Sequence, residues 1–205
     1  MHTANAGVRK NFENGSTVGL RANYQNAFFE LPGALSYDQW KHARRTANNP
    51  GDWSRIWSYG IGIDSRMKLA DDQWLLVDGG FSHQYRHARY VSSASDLEYD
   101  AYCGHLSPRY VNEKDVFGFG NKFTAGMDFR FDWYGEDHPS NFGSPVKRHF
   151  HRYRQAAFLH DEFSLAEGLS IVAGARLEWI DNRWSGYKGL GDSASPAGPQ
   201  RTQAQ

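Results

Sequence analysis

Four histidines fall in two close pairs, and imidazole nitrogens are common ligands of zinc and other transition metals. His149 and His151 are two residues apart, so on a β-strand they lie on the same face. His83 and His87 are four residues apart, which is too wide for one ion unless the strand curves. We therefore interpret all four as interfacial or loop histidines and predict no metal site.

The familiar catalytic patterns are missing from the sequence. It has no Gly-x-Ser-x-Gly elbow, no phosphate-binding loop and no His-Glu-x-x-His motif. Gly118 and Gly120 lack a third glycine in register, which argues against a dinucleotide site. A single cysteine, Cys103, excludes an internal disulfide and a Cys-based zinc cluster. We therefore expect no catalytic residues, no cofactor and no enzymatic activity.

Charged residues instead recur at every second position of several segments. In NKFTAGMDFRFDWYG (121–135), the odd positions from Phe123 to Trp133 are apolar and the even positions are mostly polar. A period of two predicts a β-strand with one apolar and one polar face. The same alternation covers 17–29, 57–69, 74–86 and 169–182, and a weaker form covers 98–112 and 150–165. The sequence predicts an all-β antiparallel meander of about seven long strands.

The composition of the two faces suggests that the apolar one touches lipid. The patterned runs reach about 12 to 15 residues, whereas strands of globular proteins usually have about 5–6. Four aromatic residues lie 11 to 13 residues from the short turns: Trp57, Tyr85, Trp133 and Trp179. About 12 residues of a tilted strand rise roughly 30 Å, so these rings would lie together in one interfacial girdle. Trp74, Phe123 and Phe163 lie beside the short turns and would form the opposite girdle. A small soluble barrel could not cheaply bury the charges of the polar face, which are Asp64, Arg66, Asp78, Arg86, Asp128, Arg130, Asp132, Arg176 and Glu178.

The connections also alternate in length, as in a meander through a membrane. Short turns fall at 70–73 and 166–168, a longer one at 112–120, and long polar segments at 31–55, 91–98 and 136–149. We divide the chain into a partial strand and turn (1–15), a series of membrane strands (16–185) and a polar disordered tail (186–205). The sequence contains neither a run of about 18 apolar residues nor the apolar core of a signal peptide. The zero net charge gives no reason to expect nucleic acid as a partner.

Several segments resemble TonB-dependent outer-membrane receptors. RQAAFLHDEFSLAEGLSIVAGARLEW (154–179) is similar to their late-barrel signature, with an acidic-aromatic-leucine turn at 161–165 followed by Gly174 and Arg176. FTAGMDFRFDWYG (123–135) is similar to another recurrent strand, and HLSPRY (105–110) and FELPGALS (29–36) resemble pieces found between strands. The resemblance extends over about residues 15–185. It implies that the turn within 1–15 is periplasmic and that 16–185 are part of a barrel.

The resemblance implies an energy-coupled importer of a scarce nutrient such as a ferric siderophore, located in the outer membrane. It implies outer-membrane lipid, a small-molecule or metal-chelate ligand and the TonB complex as partners, the last through a plug domain not present in this sequence. Because the family has 22 strands, we expect a fragment of its barrel that forms an open, curved sheet. Ligand capture by outer loops points to Tyr37, Trp40, Arg44, Arg45, Trp53, His138, Lys147, Arg148 and His149.

Two other functions fit the sequence less closely. The chain could be a small autonomous outer-membrane barrel of structural or adhesion type, which would need an eighth strand and a closing pair. It could also be a soluble all-β module that binds carbohydrate by stacking on exposed tryptophan and tyrosine rings. A monomer that is soluble without detergent would separate this last alternative from the membrane proteins.

Overall fold

A computed structural model describes residues 1–31, 33, 36–43, 48–138, 146–188 and 197–204, without the side chains of Ser92, His138, Tyr187, Lys188 and 197–204. Within these residues, nine strands form one sheet in which each strand pairs antiparallel with its sequence neighbours. The strands are β1 (His2–Asn11), β2 (Thr17–Glu30), β3 (Trp53–Ala70), β4 (Gln73–Tyr90), β5 (Ser95–Asn112), β6 (Gly120–His138), β7 (Val146–Ala166), β8 (Leu169–Lys188) and β9 (Ala197–Ala204). The predicted antiparallel meander and open sheet are confirmed.

The seven strands β2 to β8 are 14 to 21 residues long and correspond to the seven predicted long strands. Cross-strand register keeps the two faces separate across the sheet. Met127 pairs with Ala157, which pairs with Leu177, whereas Asp128 pairs with Ala156, which pairs with Glu178. Because directly opposed residues point to the same side, each face is continuous from strand to strand.

One end of the sheet carries tight connections. β3 joins β4 through residues 71–72, and β7 joins β8 through residues 167–168. Asp72 (φ 61°) and Gly168 (φ 77°) adopt the left-handed conformation that tight hairpin turns require. In the described part of the chain, the only helix lies at the opposite end, where α1 (Tyr37–His42) follows β2. No helix in this part of the chain is long and apolar enough to cross a bilayer.

The connection between β4 and β5 is shorter than predicted. The sequence suggested a long polar segment over 91–98, but Val91–Ser93 form a 3₁₀ turn and β5 begins at Ser95. Ser95 pairs with Tyr90, and the pairing continues to Glu98 opposite His87. The side chains at this end of the two strands are mostly polar, so the sequence shows no alternation there. The backbone hydrogen bonds between the strands form regardless of that pattern, and the pairing therefore continues.

The strands are progressively staggered. One register row crosses six strands and consists of Tyr24, Tyr59, His83, Tyr102, Trp133 and His151. Tyr24 lies 7 residues from the short-connection end of β2, Tyr59 lies 11 from that end of β3, and His151 lies 15 from that end of β7. Tilted strands of a closed barrel require such a shear. The sheet therefore has the geometry of a barrel wall although its two edges do not meet.

In the part of the chain that the structure describes, no element packs against the apolar face. Ile61 is 64% exposed and Leu177 is 79% exposed, although both lie in the middle of long strands. Among the described residues, the buried hydrophobic side chains are only those of Ala27, Ala88, Val111 and Ala156. A water-soluble sheet would cover such a face with a second layer. The apolar face is therefore suited to an apolar solvent.

Two expectations about particular segments differ from the structure. Trp74 was expected beside Phe123 and Phe163, but it pairs with Lys68 and Val111 and lies on the polar face, under the Arg66 guanidinium at 3.9 Å from the ring centroid. The tail was expected to be disordered from residue 186, whereas β8 extends to Lys188 and Ala197–Ala204 form β9. The free edge of β8 offers backbone hydrogen-bonding groups to any following segment, whatever its side chains.

A charge on the apolar face should be costly only if that face touches lipid. We expect Leu106→Arg to lower the free energy of unfolding in phospholipid vesicles by about 2–4 kcal/mol, because Leu106 lies near the middle of its strand. Ser82→Arg, on the polar face, is the matched control and should change it by less than about 1 kcal/mol. Equal effects of the two substitutions in urea titrations would show that the apolar face does not contact lipid.

Candidate functional site

Carboxylates on the polar face form a belt that is bridged by arginines. On strands β1 to β5, Arg9 Nη2 lies 2.8 Å from Asp64 Oδ2, and Arg21 reaches both Asp64 at 3.8 Å and Asp78 at 3.3 Å. His105 Nε2 lies 3.0 Å from Asp78 Oδ1. These contacts link side chains from five successive strands, so the belt fixes the strands to one another across the face.

The belt continues on strands β5 to β8. Asp128 accepts hydrogen bonds from the Ser107 hydroxyl and from Arg176 Nη1, the latter at 2.6 Å. Arg176 also lies 3.9 Å from Glu178, and Arg130 lies 3.0 Å from Asp132. All nine charged residues predicted for the polar face share it in the observed register. The face can therefore line a hydrated passage or contact a polar domain.

Glycine makes room for the long side chains of the belt. A Cβ on Gly62 would lie 2.5 Å from Arg21 Nε and 3.0 Å from Arg21 Cγ. Gly62 pairs directly with Arg21, so the Arg21 side chain crosses over the β3 backbone on its way to Asp64 and Asp78. The glycines that the sequence places among charged positions are therefore part of the belt.

Aromatic rings on the apolar face form a row near the end with the longer connections. Ring centroids are 5.0 Å apart for Tyr59 and His83, 4.4 Å for His83 and Tyr102, and 5.0 Å for Tyr102 and Trp133. Trp57 and Tyr85, one register step farther out, stack at 5.4 Å. Of the predicted girdle, Trp133 is in this row and Trp57 and Tyr85 lie beside it, whereas Trp179 lies four residues from Arg183, which continues the row on β8. The row also contains His83, whose Nε2 lies 2.7 Å from Asp100 Oδ1.

Two of the predicted ligand residues lie on helix α1 between β2 and β3. The Tyr37 and Trp40 rings are 70% and 52% exposed, with centroids 5.9 Å apart. A capping box between Ser36 and Gln39 starts the helix, and Gln39 makes two side-chain hydrogen bonds to Asn48 of 2.7 and 3.1 Å. The two rings therefore sit on an anchored turn. Arg44 and Arg45 lie outside the described residues.

The other predicted ligand residues divide between the two faces. Trp53 is on the apolar face, with its ring 6.0 Å from that of Phe28 and 4.9 Å from that of His87. Lys147 and His149 share that face: Lys147 pairs with Asp137 at 2.7 Å, and His149 lies 6.0 Å from the Trp133 ring.

Arg148 is on the polar face, 3.5 Å from Glu136. The backbone of His138 ends β6, and its side chain is not described. The predicted residues whose side chains are described therefore divide between α1 and the two faces of the sheet, and do not share one pocket. His149 and His151 share a face as predicted, and in the described ranges no group of three or more His, Cys, Asp or Glu residues could hold a metal ion.

Sequence reasoning missed several members of the polar face. Arg9, His105, Ser107 and Arg154 all point to it, and they lie on a strand that was not assigned or on strands that alternate poorly. Arg21, in contrast, falls on the polar side of the alternation over 17–29, and the structure places it there. Pro108 and Cys103 interrupt the alternation of β5, and consecutive polar residues interrupt that of β7. The recurring register of charged residues on the neighbouring strands is the signal that could have identified them.

Comparison with known proteins relates this sheet to a family. The family model described as "TonB dependent receptor-like, beta-barrel" matches residues 3–202. The chain belongs to this family. A search of curated proteins finds no match.

Two solved structures of TonB-dependent receptors share the fold. The ferric citrate transporter FecA in its unliganded form superposes with a TM-score of 0.74 at 13% identity, covering 93% of this chain and 34% of FecA. The ferric yersiniabactin uptake receptor FyuA from Yersinia pestis gives 0.62 at 12% identity, covering 92% of this chain and 30% of FyuA. The chain thus spans about a third of the length of either receptor, and its sheet corresponds to part of their fold.

The close passage of Arg21 over Gly62 yields a testable coupling. We expect Gly62→Val to destabilise the folded chain by about 1–3 kcal/mol, because the new side chain displaces Arg21 and its two bridges. In an Arg21→Ala background the same substitution should cost much less. Urea unfolding of the four proteins of this double-mutant cycle measures the difference. Equal costs in both backgrounds would mean that the strain arises elsewhere.

Proposed function

We propose that this chain is part of the barrel wall of an energy-coupled outer-membrane receptor that imports a scarce nutrient such as a ferric siderophore. The observation that carries the proposal is one sheet with a girdled apolar face and a charged polar face, in a chain that belongs to the TonB-dependent receptor-like β-barrel family. The names of FecA and FyuA, which concern ferric citrate and ferric yersiniabactin, support iron chelates as the ligand class.

In this proposal the wall contributes no covalent chemistry. The apolar face contacts lipid, and the charged belt faces the lumen, where it contacts a plug domain that couples to TonB. Such a belt suits this role because its charges are hydrogen-bonded to one another and remain in contact with water. Import then consists of binding and gated passage, and the protein is a transporter.

We assign ligand capture to the end of the sheet that carries α1. Tyr37 and Trp40 offer two exposed rings on an anchored turn, which suits stacking on a flat or partly aromatic chelate. We include Arg44, Arg45, His138 and Arg148 as the basic residues of the same end. Trp53, Lys147 and His149 lie on the apolar face, and we assign them to the membrane rim, where they can contact lipid headgroups.

The two alternative functions gain no support from the geometry. A small autonomous barrel needs its edge strands paired, but β1 pairs only with β2 in the described sheet, and β9 only with β8. A soluble carbohydrate-binding module would leave side chains such as Ile61 and Leu177 in water. An exposed apolar surface of that extent is typical of a membrane or protein interface.

Removal of the α1 aromatic pair tests ligand capture. In a receptor that carries this chain, we expect the double substitution Tyr37→Ala and Trp40→Ala to reduce uptake of radiolabelled iron, supplied as ferric siderophores to iron-starved cells, about tenfold. This corresponds to the loss of one or two aromatic contacts. Phe117→Ala, an exposed ring at the opposite end, is the control. Unchanged uptake by the double variant, at equal receptor levels in the outer membrane, would refute the role of this pair.

A further inference from the structure

Two arginines face each other across the polar side of β6 and β7. Arg130 and Arg154 are direct register partners, an arrangement in which like charges repel. Arg130 is neutralised by Asp132, which accepts its Nε at 3.0 Å. Arg154 has no carboxylate partner in the part of the chain that the structure describes, and its Nε is buried without a hydrogen bond. The charge of Arg154 therefore lies uncompensated beside Arg130, so this position favours an anion.

A cavity of about 340 Å³ adjoins this pair on the polar face. Its lining includes four arginines and three carboxylates, namely Arg109, Arg130, Arg154, Arg176, Asp78, Asp128 and Glu178. Each of the three carboxylates has a basic partner: Asp78 has Arg21 and His105, Asp128 has Arg176, and Glu178 has Arg176. Arg109 forms no ion pair within the described residues. The cavity therefore has an excess of guanidinium donors over acceptors.

We propose that this cavity is an anion-binding site for a small carboxylate-bearing molecule, with Arg154 as its principal donor and Arg109 on the opposite side. The terminal Nη groups of a guanidinium can donate two parallel hydrogen bonds to a carboxylate, and the negative charge would relieve the repulsion of Arg154 by Arg130. The volume suits a small molecule. The choice of a transported carboxylate rests on the proposed function, whereas the charge imbalance does not.

Calorimetric titration with citrate tests the site in a detergent-purified receptor that carries this chain, at low ionic strength. We expect Arg154→Gln to weaken citrate binding about tenfold or more, because a charged hydrogen-bond donor is lost. Arg154→Lys should weaken citrate binding less, since lysine keeps the positive charge but lacks the paired N–H groups of the guanidinium. Arg66→Gln is the matched control, because Arg66 lies on the same face over Trp74, outside the cavity. Far-UV circular dichroism checks that each variant folds.

Three results would overturn the assignment. Equal weakening by Arg66→Gln would indicate unspecific attraction to a basic face, and equal binding of neutral triethyl citrate would exclude recognition of charge. An acidic peptide that binds more tightly than citrate with the same dependence on Arg154 would assign the cavity to a polypeptide carboxylate instead. None of these results bears on the Tyr37 and Trp40 uptake assay, so this site and the receptor function can fail separately.

Discussion

The backbone hydrogen-bond ladder between sequence neighbours is the constraint on which the rest of the structure depends. In an apolar solvent an unpaired N–H or C=O costs several kcal/mol, so a strand can cross only beside another strand. Each of β2 to β7 has two antiparallel neighbours over most of its length, whereas β9 covers only residues 180–186 of β8. In the described sheet the register shifts near the turns at Ala70 and Ala166 and within the pairing of β8 with β9, and the β5–β6 ladder skips Ser107 and Pro108. Because the ladder fixes register, it also fixes which residues share a face.

The two faces then follow different rules. On the apolar face, side chains gain from contact with lipid and from rings that pack across strands, as in the row from Tyr59 to Trp133. On the polar face, exposed ion pairs contribute little one by one, since water competes for each of them. These ion pairs instead link the strands to one another. Arg21 contacts carboxylates on two strands, and Gly62 leaves the space that the Arg21 side chain needs. Within the described residues, the Nε of Arg154 is left without an acceptor.

Much of this arrangement could be predicted from the sequence, because alternation with a period of two reports strand, face and solvent together. The face of Asp128, Arg130 and Arg176 followed directly from it. The prediction that Trp74 lies in the girdle on the apolar face is wrong, because it rests on nearness to a turn. The even position of Trp74 on β4 places the ring on the polar face. For the candidate ligand residues the sequence says less, since loop position indicates which end a residue occupies and not which side of the wall it faces. Trp53 and Arg148 lie at the same end on opposite faces.

The edges of the sheet determine what the proposed function requires. β1 and β9 each have one neighbour in the described sheet, and with nine antiparallel strands they run in the same direction. They therefore cannot pair with each other in an antiparallel ladder. If two copies paired antiparallel through like edges, related by a twofold axis, their loops would point to opposite sides of the membrane. An all-antiparallel closed barrel needs an odd number of further strands between these edges. This chain corresponds to 34% of FecA, so a receptor of that length has enough further residues for additional strands.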